Sequence, residues 1–182
     1  MSAQHSDRHG LAGEHACNDI GQLVLLAVFL VTWGTDSFLF HYSTFIAAHV
    51  PRYVRLPAGA ATLLAAALLA LGAHRTLFDN PDRKPGVIRE GAFSLVRHPM
   101  YLGSWLFSAG LVLMTLSLSS AAVSIALLVF YYLMARYEER LLLESFGSDY
   151  REYQARVPML FPLKLGAKPA TRRSDQDRER GR

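Results

Sequence analysis

Charge is kept out of four apolar runs in this chain, at residues 20–35, 56–73, 99–118 and 121–135, and charged residues flank each run. A soluble helical protein can bury one such run in its core. Four of them in 182 residues call for an apolar solvent, which is a bilayer. The expected fold is therefore all-α: a polytopic membrane bundle of about four transmembrane helices, followed by a cytosolic amphipathic C-terminal helix.

The expected boundaries follow from composition. Residues 1–18 form a polar N-terminal segment, 19–162 the membrane domain, and 163–182 a charged tail too poor in hydrophobes to fold by itself. Within the domain the spans are placed at about 20–40, 56–73, 99–118 and 121–137. Asp19-Ile20-Gly21-Gln22 resembles a capping box that would start the first helix. Its uncharged part gives about 24 Å against a hydrocarbon core of roughly 30 Å. Reaching full length takes in Asp36, whose cost is smaller near a helix end than at its centre. Capping or interfacial solvation is the expectation for Asp36, with a membrane-embedded site residue as the alternative. Tyr42, Phe45 and Tyr53 suit an interfacial belt. Pro57 fits the first turn of the second helix, and Gly59 and Gly72 allow close approach inside the bundle.

An even number of spans puts both termini and the 74–98 loop on one side. Seventeen of the nineteen Lys and Arg residues then share that side, leaving Arg52 and Arg55 opposite. The positive-inside rule makes that side, and both termini, cytoplasmic. The net charge of +4 therefore speaks for a lipid bilayer as partner and against nucleic acid, because the basic residues flank apolar blocks. Cys17, the single cysteine, excludes an intrachain disulfide and a cysteine metal cage. His41 and His49 lie across the membrane from His98, so no metal site is expected. The first nineteen residues lack the basic-then-apolar pattern of a removable signal peptide.

Two polar stretches border the apolar runs on the cytoplasmic side. In the first, Arg97-His98-Pro99-Met100-Tyr101-Leu102-Gly103, Pro99 opens a helix whose free N–H groups and dipole favour an anion. Arg97 adds a planar fork for carboxylate or phosphate, and Gly103 would let a ligand approach the backbone. In the second, Glu138-Glu139, two adjacent carboxylates diverge by about 100° on a helix, so one faces inward and seeks a cation. An anion cradle beside a carboxylate and tyrosines suits a zwitterion with a further positive centre, such as S-adenosylmethionine, whose sulfonium is drawn to aromatic faces. A nucleotide or a lipid headgroup remains open on these grounds.

The ordered set Gly91-x5-Arg97-His98-Pro99-Met100-Tyr101-Leu102-Gly103, Glu138-Glu139-x2-Leu142 and Phe146-Gly147-x2-Tyr150-x2-Tyr153-x3-Val157-Pro158 resembles the isoprenylcysteine carboxyl methyltransferases, which group with phospholipid methyltransferases. The likeness covers roughly residues 60–162. It implies an integral membrane methyltransferase with S-adenosylmethionine in a cytosol-facing pocket, contacted by Arg97, His98, Tyr101, Gly103, Glu138 and Glu139. The acceptor would be lipophilic or small, and a carboxylate, an amine or a thiol. A carboxylate acceptor needs only a cationic anchor, Arg89, Arg97 or Arg156, whereas an amine must lose a proton, to Glu139 or His98. Two other readings stand beside this one. An NADPH-dependent sterol-type reductase shares the arginine-histidine-proline-aromatic stretch, but the acidic pair opposes a polyphosphate. A non-enzymatic scaffold would act through its basic tail.

Overall fold

The computed structural model of the chain describes residues 7–78 and 86–162, with side chains from residue 20 onward. The described residues are helical or irregular, without strands. The principal helices are α1 (Asp7–Gly34), α2 (Arg52–Phe78), α3 (Pro99–Thr115) and α4 (Leu118–Arg156). α1 packs on α4, and α4 packs on α3, which is paired closely with α2. Phe29, Leu127 and Tyr131 form a fully buried centre. By contrast Val31, Leu68, Ile125 and Leu133 are each about 60% exposed on the outer faces. A surface of large aliphatic side chains fits hydrocarbon and not water. The tail at 163–182 lies outside the described residues.

Several expected boundaries shift. α1 already begins at Asp7, so Asp19 is a helix-interior residue and not a cap; no proline interrupts the polar 7–18 stretch. α2 starts at Arg52, which leaves Pro57 inside the helix, and continues to Phe78. α3 stops at Thr115 because Leu116 turns into the left-handed region (φ 53°), and Ser117 caps α4 by accepting from the Ser120 amide. Among the described residues, three helices are long and apolar enough to cross a membrane: 20–40, α2 and α4. At 17 residues, or about 26 Å, α3 falls short of that length, so three long spans and one shorter apolar helix replace the expected four.

The largest departure lies in α4. The expectation is a cytosolic amphipathic helical extension, but Gly147 sits at φ 54°, ψ −119°, a conformation that glycine adopts freely and that strains residues with a Cβ. Residues 148–156 then return along the helix they follow. Gln154 Nε2 reaches Glu139 Oε2 at 3.0 Å, although fifteen residues of uninterrupted helix would separate them by about 22 Å.

Asp36 is neither solvated nor a simple cap. The last turns of the first span widen into a π-helix, Thr35–Phe40, which turns Asp36 inward to 5% exposure. There its carboxylate accepts from the Ser43 amide (3.0 Å) and from the hydroxyls of Ser43 (2.5 Å), Ser117 (2.5 Å) and Ser119 (2.8 Å). This ring ties the α1–α2 connection to the α3–α4 corner.

Candidate active site

At the opposite end of the bundle the two polar stretches meet. Pro99 is the first residue of α3, which fixes Arg97 and His98 just outside the helix. The amides of Arg97 and His98 donate to the carbonyls of Pro158 (2.9 Å) and Met159 (3.2 Å). Tyr153 donates its hydroxyl to the Phe93 carbonyl at 2.6 Å. The return segment beyond Gly147 is thus stitched onto the residues before α3.

Arg97 binds Glu139 through Nε at 2.6 Å and donates from Nη1 to the carbonyls of Gln154 and Val157, each at 2.9 Å. Both ionised side chains are nearly buried, at 11% and 9% exposure. Removing either partner from such a pair strands a charge, at a typical cost of about 3–5 kcal/mol. Arg97 is therefore first a clasp between α4 and its return segment; Nη2 makes none of these bonds.

His98 lies between the acidic pair, with Nδ1 3.5 Å from Glu138 and Nε2 3.4 Å from Glu139. The buried Nε2 makes that ionic contact without a hydrogen bond. Burial opposes charge on His98, yet its interactions with Glu138 and Glu139 outweigh burial and raise its pKa above 6.5. Tyr101 donates its hydroxyl to Glu138. The rings of His98, Tyr101 and Tyr131 stack as a column, with centroid spacings of 5.7 and 5.5 Å.

Two adjoining cavities share Phe93, Arg97, His98 and Glu138 as walls. One, of about 340 Å³, extends past Tyr101 and Ser104 to Gln22, Leu77 and Met100. The other, of about 210 Å³, runs under residues 86–88 to Phe146, Tyr150 and Tyr153. Together they fall in the size range of small-molecule sites.

Of the expected site residues, Arg97, His98, Tyr101, Glu138 and Glu139 converge here. Gly103 does not: a methyl group there would meet the Ala66 carbonyl at 3.3 Å, so its small size serves α2–α3 contact. Arg156 is also elsewhere, paired at the surface with Glu152 (2.5 Å). Arg89 donates to the Asp149 carbonyl and to Glu152. Gln22, Gln154 and Tyr150 enter the site without having been expected. A glutamine at the head of an apolar run was the available signal for Gln22; for Gln154 it was the mid-helix glycine at 147.

The chain matches the family model described as phospholipid methyltransferase over residues 54–149. It is 36% identical over 79 residues to protein-S-isoprenylcysteine O-methyltransferase B of Arabidopsis thaliana, covering 42% of this chain and 40% of that one. It is 38% identical over 77 residues to the cobalt-zinc-cadmium resistance protein CzcN of Cupriavidus metallidurans, covering 42% and 35%. With methanethiol S-methyltransferase 1 of Bradyrhizobium diazoefficiens it shares 39% identity over 71 residues, covering 38% and 24%. The matched segments thus span no more than two fifths of these relatives' lengths. No solved structure matches. With half of the chain inside the family match, and with the arginine-histidine-proline turn and acidic pair brought together within it, this integral membrane protein belongs to the phospholipid methyltransferase family of S-adenosylmethionine-dependent enzymes.

Proposed function

We propose that the chain binds S-adenosylmethionine in the joined cavities and methylates a lipophilic or small acceptor at the cytoplasmic membrane surface, with α3 serving as a fourth span. The observation that carries this reading is that Arg97, His98 and Glu138 wall both cavities at their junction, where the buried His98 Nε2 meets Glu139 in an ionic contact without a hydrogen bond. The lining fits the cofactor: carboxylate and tyrosine faces for its cationic groups, and Arg97 and His98 donors for its carboxylate. When bound, S-adenosylmethionine supplies an electrophilic methyl group on sulfur.

The protein's own residues then position and desolvate. Glu138 is fixed by the Tyr101 hydroxyl and can hold an ammonium. Arg97 and Glu139 neutralise one another, which keeps the return segment closed over the cavity and excludes water. Leu77 and Met100, both exposed on the apolar surface, make the larger cavity reachable from the bilayer. For an acceptor that must lose a proton, His98 Nε2 is placed to take it when the ring is neutral. An acceptor already anionic meets Arg97, since Arg89 and Arg156 are turned away.

Equilibrium binding of isotopically labelled S-adenosylmethionine and of NADPH to detergent-purified protein tests the proposal. Saturable binding of the first, lost in Glu138→Gln, is expected; binding of NADPH alone would overturn it in favour of a reductase. If neither binds and Glu139→Ala leaves the cellular phenotype intact, a scaffold acting through its tail is the better account.

A further inference from the structure

We infer that the outer face of α4 carries a binding site for one anionic phospholipid, independent of the methyl-transfer reading. A groove of about 310 Å³ is lined by Tyr132, Leu133, Arg136, Tyr137 and Arg140. Arg136 and Arg140 are one helical turn apart, both exposed, and neither is paired with a carboxylate among the described residues. Arg89, Arg97 and Arg156 by contrast all have acidic partners. Arg136 is held in place from below: its Nη1 donates to the Tyr132 hydroxyl at 3.3 Å, and its guanidinium lies 5.9 Å from that ring's centroid.

The groove continues an exposed stripe along the same helix. Ile125, Val129 and Leu133, spaced by four residues, are 62%, 53% and 59% exposed. Tyr132, beside Leu133, and Tyr137, between the two arginines, are about 44% exposed. An aliphatic stripe thus leads into an end of interleaved tyrosines and arginines over about 22 Å. That order matches a phospholipid lying against the helix: acyl chains on the aliphatic stripe, ester region at the tyrosines, phosphate between the guanidiniums. A free phosphate would use only the last part of this surface, and an acidic protein segment would leave the aliphatic stripe unused. The extent of the stripe therefore favours lipid.

The test measures fluorescence anisotropy of tail-labelled phosphatidylglycerol and phosphatidylcholine with the full-length protein in neutral detergent. At least a threefold preference for phosphatidylglycerol is expected. It should vanish in Arg136→Gln/Arg140→Gln and persist in Arg172→Gln/Arg173→Gln, which removes the same charge from the tail. Arg136→Lys/Arg140→Lys should retain part of it, which separates lost charge from misfolding. No preference in the wild type, or an undiminished one in the α4 double variant, overturns the site. Displacement by inorganic phosphate at concentrations matching the lipid would make it a simple anion site, and displacement by a poly-glutamate peptide alone would make it a protein-docking surface.

Discussion

Asp36 and Glu139 are both buried carboxylates, set at opposite ends of the bundle. Asp36 receives four hydrogen bonds from three serines, and the serines also bond one another. Both carboxylate oxygens are answered, Oδ2 three times and Oδ1 once, so the cluster locks a corner. Glu139 is answered by Arg97 and Gln154, but the network leaves His98 Nε2 with an ionic contact and no hydrogen bond, and it borders two cavities. A saturated polar cluster holds a fold together. One left a donor or acceptor short beside a cavity is ready for a ligand.

The sharpest contrast comes from truncating each carboxylate. Glu139→Ala strands Arg97 and should cost about 3–5 kcal/mol, with S-adenosylmethionine binding lost even in the protein that remains folded. Asp36→Ala should cost about 3 kcal/mol through unpaired serine donors, yet leave binding per folded molecule unchanged. Thermal unfolding in detergent, read beside ligand binding at low temperature, separates the two. Equal loss of binding in both would erase the distinction.

Gly147→Ala is expected next in size. Nothing crowds that position, so its cost of about 1–3 kcal/mol comes from backbone strain alone. Because the strain loosens the segment carrying Tyr150, Tyr153 and Gln154, binding should weaken by about tenfold while helix content stays level by circular dichroism.

His98→Gln has a smaller, pH-dependent effect. His98 titrates higher folded than unfolded, so the stability from its charged form is fully present below about 6.5 and is lost as pH rises through the raised folded value. Unfolding midpoints measured from pH 5.5 to 9 should fall more steeply in the wild type than in His98→Gln. Parallel curves would mean that His98 carries no such linkage.

Arg156→Ala should do least. Its pair with Glu152 is exposed on both sides, and such pairs contribute about 0–1 kcal/mol. Binding should match wild type, in contrast to the anchoring role its position near the motif suggested.

The sequence carried whatever local chemistry determines. Pro99 as first residue of α3 was legible because the ring presets φ and needs no donor there. Uncharged runs located the bundle, and Arg97-His98 and Glu138-Glu139 marked two polar stretches that the fold brings together. What escaped depends on contacts distant in sequence. Gly147 inside an otherwise helical pattern reads as a tolerated glycine until Gln154 is seen to reach Glu139. Asp36 reads as a helix end until serines eighty residues away enclose it. Gly103 could serve a ligand or a neighbouring helix equally well, and only the approach of α2 decides between them.

Photoaffinity labelling with an azido derivative of S-adenosylmethionine, followed by peptide mapping, tests the central claim most directly. Label protected by unlabelled cofactor should fall on peptides containing residues 86–104 and 138–153, from both halves of the site. Label at the Asp36 corner, or none that excess cofactor displaces, would contradict the assignment of the cavities at the Arg97-His98-Pro99 turn.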